Sequence, residues 1–357
     1  MWNRINVSAP GRLCLFGEHQ DFLGLAVIAL AIDLDIAMVA RPQGGGILSL
    51  NLPDLGERDE FPAGTGRPYR HARDYLPAVV RVLRREGYDF PGMSVTVRGT
   101  IPINSGTSSS SALVVAWTTL LLIAATGERP EPGTVARLAH RAEVLEFKEP
   151  GGMMDHYTSA LGGLLYIDCR EPISTERLPA ELDGFVLGDT LVRKATTKTL
   201  LKTRVTVRAA VVKLERAYPG FDLRTTAWEE IADLAERLPE EERRPLQAQF
   251  INRDLCQQAR RMLSKEEFDQ RHLGEMLLEH QRQMREGVEV SHPKLDELVE
   301  VAVAAGALGG KLNGSGGGGA MFAYAPGRQE EVKAAIEQAG GKGYIVAPRE
   351  GVRVEVQ

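Results

Sequence analysis

Residues 102–112 read Pro-Ile-Asn-Ser-Gly-Thr-Ser-Ser-Ser-Ser-Ala, between a β-branched segment at 93–97 and an apolar stretch of helical length at 109–125. A loop of small residues feeding a helix presents unpaired backbone N–H groups and the positive end of the helix dipole. That setting favours a phosphate, and the hydroxyls add donors or a Mg2+ ligand. The same run reads equally well as a serine cap and linker, since serine is a preferred N-cap residue.

Outward from this loop the pattern is mixed. Residues 32–40 are strand-like, 75–85 suit a helix, and 44–67, rich in Gly, Pro and charge, suit a surface loop or hairpin. The second half is more helical, with helices expected at 200–216, 226–238, 244–263, 266–286 and 294–305 and Pro219, Pro239 and Pro293 as punctuation. Ser291-His292-Pro293-Lys294 reads as a helix start with Ser291 as cap and Pro293 in the first turn. Strands at 320–324 and 352–356 bracket a helix near 330–339, and there is no internal repeat. A chain of 357 residues is long enough for two domains of roughly 100–200 residues. The expected architecture is α+β in two lobes, 1–180 and 181–357.

Three more segments carry chemistry. Lys311-Leu312-Asn313-Gly314-Ser315-Gly316-Gly317-Gly318-Gly319 precedes a strand, and six of the seven residues from Gly314 to Ala320 are Gly or Ala, which suits close backbone approach. No Walker-type loop ending in Gly-Lys-Ser or Gly-Lys-Thr occurs. In Ala9-Pro10-Gly11-Arg12-Leu13-Cys14-Leu15-Phe16-Gly17-Glu18-His19-Gln20-Asp21, a short strand at 13–16 delivers Glu18, His19 and Asp21 into one turn, where they can grip hydroxyls or simply face solvent. Glu143 is followed by Gly151-Gly152-Met153-Met154-Asp155-His156. Two carboxylates separated by a glycine break can converge on one metal and one proton, but Glu146 and Glu149 compete, and Asp155 also suits a helix start.

Composition removes several classes. Hydrophobic residues are 43% and charged residues 25%, so disordered and collagen-like chains are excluded. The net charge of -5 and the lack of a basic stripe argue against a nucleic-acid partner. Cys14, Cys169 and Cys256 are odd in number and far apart, as expected of reduced thiols in a cytoplasmic protein. The apolar runs at 25–32 and 112–125 fall short of a membrane span, and residues 1–8 lack an export pattern. The histidines at 71, 140, 156, 272, 280 and 292 are dispersed and read as surface or structural groups.

Taken in order, the four segments resemble the GHMP small-molecule kinase superfamily. PGRLCLFGEHQDFLG is similar to the first galactokinase signature, IPINSGTSSSSALVVA to the superfamily's phosphate loop, and KLNGSGGGGA to the mevalonate-kinase form of the C-terminal glycine motif. Thr107 stands where Leu is usual. The resemblance implies a two-lobed GHMP kinase fold, with a ribosomal-protein-like N-terminal lobe and a more helical C-terminal α/β lobe. It also implies an ATP- and Mg2+-dependent transfer to a hydroxyl of a small-molecule sugar.

By the same resemblance Gly106, Ser108, Ser109 and Ser110 hold the triphosphate, with Pro102, Asn104, Ser105 and Thr107 completing the loop and Gly316 and Gly317 facing it. Glu143, twelve positions before Asp155 as in galactokinases, binds the metal with Ser110. Asp155 is the catalytic carboxylate and Arg12 the charge stabiliser, while Glu18, His19, Asp21, Gly152 and Asp155 contact the sugar. Residues 188–197 resemble a strand and turn lining the acceptor site. The resemblance makes the anomeric hydroxyl of a sugar the leading acceptor; mevalonate-type chemistry and a non-catalytic sugar sensor are the alternatives.

Overall fold

The computed structural model describes residues 2–102, 106–193 and 196–357. Asn104, Ser105, Lys194 and Ala195 lie outside the described residues. The first strand, β1 (Ile5–Phe16), begins by alternating buried and half-exposed positions and is buried on both faces from Ala9 onward. Pro10 and Gly11, which precede the strand expected at 13–16, sit inside this longer strand, where the register against β2 (Val27–Pro42) shifts between Pro10 and Arg12. Such an irregularity re-aims a side chain without ending the strand.

β1 lies between β2 and β12 (Arg353–Val356), antiparallel to both. The length of β2 lets it carry β6 (Leu164–Asp168) along its first part and β5 (Met93–Gly99) along its second. β3 (Ile47–Leu52) runs parallel to β5 and antiparallel to β4 (Glu57–Pro62), forming the hairpin expected within 44–67. β7 (Ser174–Arg177) extends β6.

Helix α2 (Ser109–Thr126) crosses β1 and β2 and is ringed by α1 (Tyr75–Arg85), α3 (Pro132–His140) and α4 (Met154–Leu161). It is apolar on every side, so it is buried all round. Its Trp117 is fully buried and donates its indole N–H to the Leu76 carbonyl at 3.0 Å. Among the described residues this is the one helix long and apolar enough to cross a membrane, and most of it is packed inside the protein.

The second sheet has the order β11 (Lys342–Val346), β8 (Phe185–Asp189), β10 (Ala320–Tyr324), β9 (Gly309–Asn313), all antiparallel. Val186, Met321 and Ala323 face α9 (Pro293–Ala304) and α10 (Gln329–Gln338). The alternate residues, Phe185, Leu187, Phe322 and Tyr324, join Leu13, Leu15 and Ile28 of the first sheet, with α7 (Glu240–Leu263) and α8 (Gln270–Arg282) closing the layer. One continuous core therefore fuses the two sheets directly behind residues 13–16. α5 (Thr196–Ala217) and α6 (Trp228–Ala235) pack beside α7 in a further cluster around Phe250.

One expected detail is corrected. α9 is capped not by Ser291 but by His292, whose Nδ1 accepts the Lys294 N–H at 3.1 Å. Ser291 is drawn away because its hydroxyl donates to Asp296 Oδ1 at 2.8 Å. Pro293 is the first helical residue, as expected.

Candidate active site

The two small-residue loops meet. Gly106 adopts φ 95 and Ser108 φ 61, left-handed conformations that turn the chain into α2 with Ser108 at its N-cap. Gly314, at φ 84, lies so close to this turn that a Cβ there would stand 2.8 Å from the Gly106 carbonyl oxygen. Asn313 joins the pieces: its side-chain amide donates to the carbonyls of Arg12 (3.2 Å) and Gly106 (3.1 Å), and its Oδ1 accepts the Cys14 N–H at 2.9 Å.

The expectation for Gly316 and Gly317 shifts by two residues. A Cβ on Gly316 would meet the Val290 carbonyl, and the Gly317 N–H donates to that same oxygen at 2.7 Å, so both pack away from the cleft. Gly314 and Ser315 line the cleft instead. Residues 188–193 stand behind this glycine turn, with the Thr190 hydroxyl donating to the Gly319 carbonyl at 2.6 Å, and they do not line the cleft.

Arg12 and Asp155 form the centre. Arg12 Nε donates to Asp155 Oδ1 at 2.7 Å, and its Nη1 donates to the Gly106 carbonyl at 2.6 Å. The guanidinium is 4% exposed and the carboxylate 29%, so the acid faces the cleft with the cation beneath it. α4 brings Asp155 here in its first turn, pinned by the Ser159 hydroxyl donating to the Pro10 carbonyl at 2.8 Å. Burial pushes the Asp155 carboxyl up, but the Arg12 charge, the Ser108 hydroxyl and the adjacent His156 ring outweigh it and hold it below the usual range.

Asp21 shows the opposite balance. Its Oδ2 accepts the Met154 N–H at 3.3 Å and its Oδ1 the Phe22 N–H at 2.9 Å. Burial first, and the Asp155 charge second, nevertheless push its pKa up to about 6. Gly152 is what admits this carboxylate, because a Cβ there would lie 2.2 Å from it. Two carboxyls with opposite shifts thus share one end of the cleft.

Glu18 and His19 line the same end. Glu18 is buried and accepts from Lys311 Nζ at 3.1 Å; Lys311 also donates to the carbonyls of Cys14 (2.9 Å) and Leu312 (2.6 Å). His19 Nε2 lies 3.1 Å from the Ser315 carbonyl oxygen, so the first motif and the glycine motif hold one another. Glu143 also lines the cleft, and its Oε2 accepts a hydrogen bond from His156 Nε2 at 2.8 Å. Glu146 points elsewhere, to Tyr69 and Arg85, whereas Glu149 also lines the cleft but is held in an ion pair with Arg73, another lining residue. Ser109 and Ser110, at the start of α2, are further lining residues.

The cleft encloses about 490 Å³, and its far end is walled by Ile36, Leu52, Val97, Ile101 and Leu113. The sequence does not mark these residues as a site, because Ile36, Val97, Ile101 and Leu113 read as ordinary core and Leu52 falls in the expected surface loop or hairpin. Lys311 and Asn313 were also missed: they open the quoted glycine segment but sit on a five-residue strand whose glycines hide its period. A hard-oxygen donor set is present for Mg2+: among the described residues Glu143 uses only Oε2, and the Ser110 hydroxyl is exposed on the same cleft. That set fits the ion.

An anion cradle at a helix start, an acid backed by a buried arginine, and a pocket with a polar and an apolar end together define a phosphotransferase acting on a hydroxyl. Comparison with known proteins narrows the class. The model described as GHMP kinases N terminal domain matches residues 74–163, GHMP kinases C terminal matches 263–342, and the galactokinase galactose-binding signature matches 3–42. A mevalonate kinase of Pyrococcus abyssi is 30% identical over 363 residues, covering 98% of this chain and 97% of its own. Human galactokinase is 30% identical over 337 residues, covering 88% and 81%. The structure of Lactococcus lactis galactokinase complexed with galactose has a TM-score of 0.83 at 20% identity, covering 98% of this chain and 95% of that one. The chain belongs to the GHMP kinase family, within which its galactokinase-like character is marked by the N-terminal signature. It is a phosphotransferase with an alcohol group as acceptor, and ATP is the family's phosphoryl donor.

Proposed function

We propose that this chain phosphorylates the anomeric hydroxyl of a neutral sugar. The observation that carries this reading is the charge pattern at the acceptor end. Asp155, Asp21 and Glu18 converge there, and its two buried cations are already engaged, Arg12 by Asp155 and Lys311 by Glu18. Carboxylates accept from hydroxyls and repel an anion, so a polyol suits this end and a carboxylate-bearing acceptor does not. The galactose-binding signature over residues 3–42 supports the same choice. The mevalonate kinases among the relatives favour the second reading, an isoprenoid-pathway alcohol. A non-catalytic sensor would bind ATP and sugar without turnover.

Phosphoryl transfer needs positioning and charge neutralisation more than covalent help. On this reading Gly106, Ser108 and the first N–H groups of α2 hold the triphosphate, and the apolar end takes the base. Glu143 and Ser110 would hold Mg2+, which when bound neutralises phosphate charge. Asp155 orients the acceptor hydroxyl. Its lowered pKa makes it a weak base, so the proton moves late, as the new O–P bond acidifies the hydroxyl. Arg12 keeps Asp155 charged and adds positive charge beside the transferred group. Asp21, Glu18 and His19 fix the remaining hydroxyls. The lobes on this reading are 1–180 and 181–357, with the last strand returning to the first sheet.

The test is ADP release across galactose, fucose, arabinose, uronic acids, heptoses and mevalonate, with phosphorus NMR of the product. Turnover of neutral sugars with a 1-phosphate product is expected. Turnover of mevalonate alone reverses the ranking, a 6-phosphate removes the anomeric assignment, and binding without transfer favours the sensor.

A further inference from the structure

His156 was read from the sequence as a dispersed structural histidine, yet it is 1% exposed and directed at a cleft residue. Its Nε2 lies 2.8 Å from Glu143 Oε2. An ionised carboxylate only accepts, so this ring nitrogen is the donor. Glu143 itself sits in a single π-helical turn, Arg141–Leu145, between α3 and the following loop. Such turns insert one extra residue and re-aim a side chain. The other face of the imidazole is fixed by the edge of His140, with ring centroids 5.3 Å apart at 80°. Among the described residues His156 is the hydrogen-bond donor to this buried carboxylate, and it takes only one of the two oxygens.

We infer that His156 is a positioning residue for metal-bound nucleotide: its N–H holds Glu143 Oε2 so that the other oxygen is presented to the cation. This rests on the reading of Glu143 as the metal-binding carboxylate. A donor of this kind orients a ligand, and losing it costs about 10- to 100-fold in metal affinity. His156 itself lines the cleft beside Asp155, so what assigns it to the metal is the part of its effect that appears only when the metal is present.

Two near-isosteric variants separate donor from bulk. A glutamine amide reaches the place of Nε2, and an asparagine amide reaches only that of Nδ1. We would titrate His156→Gln, His156→Asn, Glu143→Gln and the unchanged protein by calorimetry with a non-hydrolysable ATP analogue. Each titration would be run with Mn2+ and again with EDTA, reading the gain in affinity that the metal confers. The expected result is a full gain in the unchanged protein, a gain within about threefold of it in His156→Gln, and a gain at least tenfold smaller in His156→Asn. Metal-free affinity should be the same in the unchanged protein and the two His156 variants, and no lower in Glu143→Gln, which loses a negative charge from the cleft.

An unchanged gain in Glu143→Gln refutes the metal reading of Glu143 and the inference with it. A lost gain in Glu143→Gln with equal gains in the two His156 variants overturns the inference alone. A fall in metal-free affinity in His156→Asn assigns the residue a merely structural part. Should His156→Asn fail to fold, a gain in His156→Gln as small as in Glu143→Gln overturns the inference equally.

Discussion

Replacing Asp21 by Asn should make the protein more stable at neutral pH while weakening its hold on the acceptor. The carboxyl is shifted from an ordinary value of 3.8 to about 6, mainly by burial and next by the charge of Asp155. Below about pH 4 it is protonated in the folded and unfolded chain alike and contributes no difference. As pH rises from about 4 to about 6 the unfolded chain releases the proton and the folded chain retains it, so stability falls. Above about 6 the folded state carries the whole penalty, about 3 kcal/mol at roughly 1.4 kcal/mol per pKa unit. An Asn keeps one carbonyl oxygen, enough for the shorter bond from the Phe22 N–H, gives up the longer 3.3 Å bond from the Met154 N–H, and has the same bulk against Gly152, so the gain falls somewhat short of the full penalty. The assay is the midpoint of thermal unfolding, without ligands, from pH 4 to 8. Asp21→Asn should unfold about 3 °C or more above the parent at pH 7.5, with the difference vanishing near pH 4. A variant less stable than the parent at pH 7.5, or a difference independent of pH, would refute the account of Asp21.

Asp155→Asn should lower kcat by about 10² to 10⁴ and leave ATP affinity within a few-fold, measured by ADP release; undiminished turnover would remove Asp155 from the mechanism. Gly314→Ala forces a non-glycine residue into φ 84 and a Cβ to 2.8 Å from the Gly106 carbonyl, so KM for ATP should rise several-fold more than KM for the acceptor. Equal changes in both constants would show that the two loops do not share the nucleotide. Lys311→Met leaves Glu18 buried without its cation and should cost about 3–5 kcal/mol in denaturant unfolding, with Lys311→Met/Glu18→Gln recovering part of it. No recovery in the double variant would mean the pair acts independently.

Strong local signals made parts of this molecule legible from the sequence alone. α1 occupies 75–85 and β10 occupies 320–324, the spans expected from apolar spacing. β1 was foreseen only at 13–16, because Pro10-Gly11 looks like a break and only the partner strands reveal a register shift. β6 and β8 are short and buried on both faces, so they lack the alternation that marks a strand. α3 is nine residues long and carries Arg137 and His140, too little for a clear apolar stripe.

In the site, the types of residue were readable and their pairing was not. Lys311 and Glu18 lie 293 positions apart, and nothing local links them. The glycine run predicted close approach correctly, but only the fold shows that Gly314 meets the turn at Gly106 while Gly316 meets Val290.

The pairing of β12 with β1 ties Asn6 to Glu355, 349 positions away. A ribosome releases the N-terminal partner first, so throughout translation the strand that bears Arg12 waits with one hydrogen-bonding edge bare. A nascent chain stalled before residue 353 would keep that edge open to neighbouring chains, which makes residues 353–356 guardians against aggregation as well as part of the sheet.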